Sequence, residues 1–235
     1  MKNKKDLALN YLQKNYLANI DLIEPIRIDQ AEIIYVDDDI VLIKELRSNI
    51  YMMVTSDLAN ASKIIDTISD IQCFRTNQKE QMNYVAQKFN LKETFICKQL
   101  VYETKELLPE SKRMTFKPLN MDYYSLIKAN YDLIADDDIK KHLVDEDLYG
   151  GFINDELVGF IGTHLEGSIG LLFVMPNHRK KGYATDLESF MINTQIKQGL
   201  VPFAQVKLGN HASFAVQRKL NMTLCDDIIY WAFNT

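Results

Sequence analysis

Apolar residues recur along this chain with two spacings, every second position in short runs and every third or fourth in longer ones, and the runs follow one order twice. In "IIYVDDDIVLI" (33–43) two apolar runs flank three aspartates, the pattern of a hairpin with an acidic turn. "NIYMMV" (49–54) reads as a further strand, and "LANASKIIDTIS" (58–69) puts Ala61, Ile64, Ile65 and Ile68 on one helical face. "IQCFR" (71–75) is a strand, a helix carrying Met82, Val85, Ala86 and Phe89 follows, and "TFICKQLVY" (94–102) is a strand again.

The order returns after residue 149. "GGFINDELVGFIG" (150–162) is a second hairpin that matches the first by position: Tyr35 with Phe152, Val36 with Ile153, Asp37 with Asn154, Asp38 with Asp155, Asp39 with Glu156, Ile40 with Leu157 and Val41 with Val158. Then come the strand "SIGLLFVM" (168–175) and a helix over 182–198 with Ala184, Leu187 and Met191, stopped by Gly199. The strand "PFAQV" (202–206), a helix over 211–220 and the strand "LCDDIIYWAF" (224–233) complete the series. Two α/β halves are therefore expected, one over 1–108 and one over 109–235, joined at the polar, proline-bearing "ELLPESKR" (106–113).

Composition narrows the class. With 235 residues, 47% hydrophobic and 25% charged, the chain can bury a sizeable core, and disorder is disfavoured. A formal net charge of −5 gives no overall basic footprint for nucleic acid or anionic membrane, so a small-molecule partner is the expectation. The first residues, "MKNKKDLALNYLQKN", read as an amphipathic helix, because Asn10, Gln13 and Lys14 interrupt any signal-peptide core. Cys73, Cys97 and Cys225 lack metal-ligand spacing, which suits a soluble, cytoplasmic protein with reduced thiols. No metal is expected. "DDD" at 37–39 and 136–138 lacks the glycine and alternating ligands of a calcium loop and reads as a turn and a helix start, and His164, His178 and His211 have no partners at metal spacing. Trp231 and Tyr230 read as core or groove-lining residues of the last strand.

The chemistry concentrates in "VMPNHRKKGYATDL" (174–187), where a strand passes through a basic turn into a helix. The first N–H groups of a helix lack intrahelical partners and the dipole adds positive charge, so such a turn suits a phosphate. Gly182 has no Cβ to obstruct it, Ala184 permits close helix packing, and Arg179, Lys180 and Lys181 add cationic charge.

Arg179-x-x-Gly182-x-Ala184, after a strand ending Val174-Met175-Pro176, resembles the acyl-CoA signature of the GNAT superfamily of N-acetyltransferases. "QVKLGNHASFAVQRKLNM" (205–222) resembles that superfamily's next strand and helix, with Asn210, Ser213 and Lys219-Leu220-Asn221-Met222 at its marked positions. Together with "GLVPF" (199–203), the blocks look most like the glycine N-acyltransferase branch, and the resemblance spans about residues 114–233. It implies tandem GNAT-like domains, each a mixed, mostly antiparallel sheet flanked by helices. It implies acetyl-CoA, or another acyl-CoA, as co-substrate. Backbone groups of Leu172, Phe173 and Val174 would pair with the pantetheine arm, and N–H groups from Lys180 through Tyr183 to Thr185 would hold the pyrophosphate. Asn210 would hydrogen-bond the pantetheine or cap its own helix, two compatible roles.

The implied chemistry is direct attack of an amine on the thioester in a ternary complex. The Val174 N–H would face the developing oxyanion, and His164 or Glu166, or else Asp226 or Asp227, would take the amine proton. Many members of the superfamily place a tyrosine seven residues after the motif asparagine; here that position is Gln217, which has no titrating proton to give. Tyr183 or Tyr230 could substitute. The first half's junction, "VTSDLANASK" (54–63), has no glycine or basic tetrad and places Asp57 at the helix start, so that half is expected to keep the fold without the cofactor. Expected partners are a small-molecule amine or a peptide, with no nucleic acid and no membrane, in a monomer or homodimer. A non-catalytic CoA-binding or sensing protein of the same fold is the alternative.

Overall fold

The computed structural model describes residues 3–131 and 136–234. The N-terminal segment is two helices, α1 (Lys4–Leu12) and α2 (Tyr16–Arg27), separated by a short 3-10 turn. Every residue of α2 from Ala18 to Ile26 is buried, including Asn19, Asp21 and Glu24. A helix buried on nearly all sides, with polar residues inside as well, carries little periodic signal. The strand–helix series follows: β1 (Ala31–Val36), β2 (Ile40–Glu45), β3 (Tyr51–Thr55), α3 (Leu58–Ile65), β4 (Cys73–Thr76), α4 (Lys79–Phe89) and β5 (Glu93–Val101). The second series opens with β6 (Thr115–Pro118), α5 (Tyr124–Asn130) and α6 (Asp136–Val144). It continues through β7 (Tyr149–Ile153), β8 (Glu156–Thr163), β9 (Ile169–Val174), α7 (Tyr183–Lys197), β10 (Phe203–Lys207), α8 (His211–Lys219), β11 (Thr223–Leu224) and β12 (Ile229–Phe233).

Both hairpins form where the pattern predicts them, by different turns. Asn154 and Asp155 take positive φ (51° and 63°), the two-residue turn that matches strand twist. In the first hairpin the Asp37 carboxylate accepts from the N–H groups of Asp39 (2.8 Å) and Ile40 (2.7 Å), closing a loop one residue longer. The aspartates at 136–138 fill the first turn of α6, where the helix dipole favours acidic side chains.

The chain forms two compact units, each assembled from more than one stretch of the sequence. Of the described residues, the first comprises those up to Val101 with Gln205–Asn210 and Thr223–Asn234; the second comprises those of Tyr102–Ala204 and His211–Met222. In the first unit the strands lie in the order β1-β2-β3-β4-β12-β5, with β11 also on β5. The last strand, β12, is inserted between β4 and β5: Trp231 lies opposite Arg75 on one side and Phe95 on the other. A strand read from sequence as the end of the second half thus completes the sheet of the first. The core of this unit gathers Ile40, Leu42, Met53, Phe74 and Val85 with Ala232 of β12. Beneath α2 the Arg75 guanidinium donates to Asp21 through Nε (2.7 Å) and Nη2 (2.9 Å), and Gln205 Nε2 donates to Asp21 (3.0 Å) and Gln99 (2.9 Å).

In the second unit the order is β9-β8-β7-β6, with Ala204 of β10 beside Ile169 of β9. Its core is Leu119, Ile127, Ile139, Leu143, Phe152, Phe160 and Leu171. Both sheets are mixed: β3 and β4 run parallel, as do β9 and β10, and the other ladders are antiparallel.

Candidate acyl-donor site

The site is built at the β9–α7 junction. Gly182 is the N-cap of α7 with φ +85°, a left-handed backbone that costs a side-chain-bearing residue on the order of 1–2 kcal/mol. Lys180 is also left-handed (φ 60°), so the loop turns twice in three residues before the helix. The N–H groups of Tyr183 and Ala184, in the first turn, have no acceptor within the helix. The N–H of Thr185 donates to Gly182 O (3.0 Å). Lys180 and Lys181 are exposed beside this turn. Arg179 folds back: its Nε donates to Val174 O (3.1 Å) and its guanidinium lies 5.4 Å from the Phe173 ring centre. The turn fits a pyrophosphate in backbone conformation, charge and accessibility.

A residue outside both sequence motifs also reaches this turn. Arg113, just before β6, donates from Nε to Asp186 Oδ2 (2.8 Å) and lies 4.8 Å over the Tyr183 ring, and a Cβ on Gly182 would stand 2.9 Å from its Nη2. No short-range signal marks it, because 73 residues separate it from Asp186.

Strand β9 has two edges with different histories. Against β8 the register slips between Phe160 and Gly162, and Leu171 takes φ 51°, which marks a β-bulge. The N–H of Met175 donates to Val158 O (2.9 Å), so Val174, opposite Gly159, sits at the alternate position whose N–H turns away from β8. Toward β10 the register consists of the single pair Ala204 and Ile169. The corresponding strands of the first half, β3 and β4, pair through Tyr51 with Phe74, Met52 with Arg75 and Met53 with Thr76, and β2 pairs with β3 without a slip. At the start of α3 the Asp57 carboxylate accepts from the Asn60 N–H (3.0 Å), so that helix end holds an anionic group of its own.

The residues expected to do chemistry are not all together. Leu172, Phe173 and Val174 line β9 next to the basic turn, half-buried. His164 and Glu166 occupy the tight β8–β9 turn at the other end of the strand. The His164 ring covers Gly170, its Nε2 2.3 Å from where a Cβ there would be, and Glu166 accepts from the Ser168 hydroxyl (2.6 Å). Val174 lies four residue steps along the strand from Gly170, about 13 Å, so His164 and the Val174 N–H cannot serve one carbonyl group. Ser213 is half-buried in the first turn of α8. Asn210 directly precedes α8 and belongs to the first unit, its N–H on Lys207 O (3.0 Å). Asp226 and Asp227 lie in the turn before β12, also in the first unit, where Asp227 accepts from Asn15 (2.5 Å). Tyr230 lies in β12 and packs on that unit's core.

Gln217 is 2% exposed in α8, and its Nε2 donates to Glu188 Oε1 of α7 (2.9 Å). Burial pushes the Glu188 carboxyl up to about 7 against that hydrogen bond. No sequence signal marks Glu188, because one carboxylate in a helix has none of its own. Among the described residues no group of His, Cys, Asp or Glu is placed to hold a metal ion, and no helix is long and apolar enough to cross a membrane.

Comparison with known proteins bears on this geometry. The sequence model of FR47-like proteins matches residues 149–232, from β7 through β12. No curated protein sequence matches the chain. Among solved structures, a Drosophila protein superposes with TM-score 0.67 at 14% identity, over 98% of this chain and 95% of its own. A GCN5-related N-acetyltransferase from Kribbella flavida gives 0.56 at 13% identity, covering 97% and 96% of the two chains. A GCN5-related N-acetyltransferase-like protein from Streptococcus suis gives 0.55 at 12%, covering 99% and 100%. With this family match and this set of structural neighbours, the chain has the fold of the GNAT superfamily.

Proposed function

We propose that this protein is an acyl-CoA-dependent N-acyltransferase, with acetyl-CoA the simplest donor and a primary amine, free or on a peptide, the acceptor. The observation that carries the reading is the left-handed Gly182, which opens α7 directly beyond a strand whose Val174 N–H faces away from its β8 neighbour. Gly182, Tyr183 and Ala184 would hold the pyrophosphate with Lys180 and Lys181, and Thr185 would shape the turn through its bond to Gly182. The pantetheine arm would run back along β9 past Val174, Phe173 and Leu172, with Ser213 on the following helix of the same unit.

The separation of about 13 Å along β9 divides the remaining roles. Val174, beside the basic turn, donates to the part of the donor nearest the phosphates. His164, over Gly170, stands where an extended arm would present its thioester and is the favoured base, with Glu166 held in the turn by Ser168. The amine attacks the thioester carbon, its proton passes to His164 directly or through water, and CoA leaves as thiolate, which is then protonated. The first half, whose α3 N-terminus carries Asp57 and whose β3–β4 ladder is closed, would serve as scaffold. The glycine N-acyltransferase-like branch is the proposed placement, from "HRKKGYAT" and "GLVPF".

One observation favours a second reading, a CoA-binding protein without transfer: Gln217 is buried against Glu188 and has no proton for the leaving thiolate. Calorimetry with acetyl-CoA, with Gly182→Glu as control, tests binding. Mass spectrometry of products from acetyl-CoA and pooled amino acids, polyamines and peptides tests transfer. Absence of binding defeats both readings; binding without acylated product leaves the second.

A further inference from the structure

The second unit buries one carboxyl group that the proposed reaction does not use. Glu188 is 1% exposed and accepts a hydrogen bond from Gln217 Nε2, 2.9 Å away. The other end of that amide, Gln217 Oε1, is buried with no hydrogen-bond partner among the described residues. A buried acceptor without a donor costs about 1–3 kcal/mol, and an ionised Glu188 has no donor to offer. A carboxylic acid does. With its proton on, Glu188 can give O–H to Gln217 Oε1 while accepting from Nε2, which closes a cyclic acid–amide pair.

We infer that Glu188 and Gln217 form a proton-operated latch between α7 and α8. Closed, it ties the helix opened by Gly182 to the helix that carries Ser213. When Glu188 ionises, the pair loses one hydrogen bond, leaves a charge in an apolar setting, and opens.

The charged groups on the elements packed against α7 lie away from this carboxyl, whose influences are burial and the Gln217 bond. β9 has no titratable side chain, and β6, β7 and β8 bring Lys117, Tyr149 and Glu156. On α8, His211, Arg218 and Lys219 are exposed, and on α7 itself Asp186 is paired with Arg113 and Lys197 with Glu110. Burial pushes the carboxyl up to about 7, against the Gln217 bond. The latch itself stands on the two side chains; its effect on the site rests on the acyl-CoA reading.

The test is a carbon-13 titration of the glutamate carboxyls, with amide hydrogen exchange at about pH 6 and about pH 8.5. Wild type is compared with Glu188→Gln, which keeps a neutral pair at every pH. Expected are one glutamate carboxyl titrating near 7 that is absent from the variant, and α8 protection, corrected for intrinsic exchange, falling about tenfold at the higher pH in wild type alone. If no glutamate titrates above about pH 6, or if α8 loosens equally in both proteins, the latch is overturned. Should Glu188→Gln not fold, the wild-type titration decides. Calorimetry with CoA adds the functional arm: affinity drops at the higher pH in wild type and holds in the variant. Equal drops refute the link to the site, and no CoA binding at either pH refutes the acyl-CoA reading while the latch is still judged by the first two measurements.

Discussion

Arg75 of β4 and Asp21 of α2 meet through two hydrogen bonds, 2.7 and 2.9 Å, with both side chains fully buried. Ala18 O also accepts from Arg75 Nη2 (2.5 Å), so the pair fixes α2 onto the sheet of the first unit. Removing one partner strands a charge in the interior, which costs about 3–5 kcal/mol. Asp21→Ala is expected to lower the urea midpoint by a corresponding amount, and a loss under about 1 kcal/mol would show the pair to be dispensable.

Glu188 makes stability pH-dependent with a definite sign. Its folded value of about 7 lies above its ordinary 4.5, so the folded state holds the proton more tightly than the unfolded chain. The contribution is whole below about pH 4.5 and is lost as pH rises through about 7, a difference on the order of 3 kcal/mol. Unfolding wild type and Glu188→Gln in urea at several pH values isolates it. The gap between the two curves should change across this window and be flat outside it.

Gly182→Ala asks for a Cβ at φ +85°, 2.9 Å from Arg113 Nη2. A stability loss of about 1–2 kcal/mol and weaker CoA binding are expected. Gly182→Glu adds a negative charge where phosphate would sit and should abolish binding by calorimetry; unchanged affinity would remove the site from this loop.

Gly170→Ala distinguishes the two ends of β9. Its Cβ would stand 2.3 Å from His164 Nε2, so the imidazole must move. If His164 is the base, kcat falls while the KM for acyl-CoA holds, and His164→Ala lowers kcat by about 10²–10⁴. A change confined to KM would return the proton transfer to another group.

A chain ended at Met222 lacks β11 and β12. Strands β4 and β5 then lose the partner between them, and Trp231 and Ala232 leave the core. Circular dichroism and urea melts should show the first unit unfolded; a cooperative melt like that of the full chain would show β12 to be an accessory strand.

Local pattern was enough for much of this protein. The hairpins around Asp37–Asp39 and Asn154–Asp155, the strand at 169–174 and the helix that Gly182 opens are written in spacings of two and 3.6 and in residues that tolerate positive φ, because those depend on near neighbours. The basic turn was legible for the same reason: glycine, lysines and helix start are contiguous. α2 was not, because burial on all sides erases the stripe that marks a helix.

By itself, then, the sequence determined the strands and helices of the repeated series, their order and one basic, glycine-opened turn. Tertiary structure alone decided that β12 closes the first unit's sheet, that Arg113 lies over Gly182, that His164 and Val174 stand at opposite ends of one strand, and that Glu188 meets Gln217 in the interior. Each of these joins residues far apart along the chain or fixes a burial, and desolvation and strand pairing act on positions in space, which no local window of sequence contains.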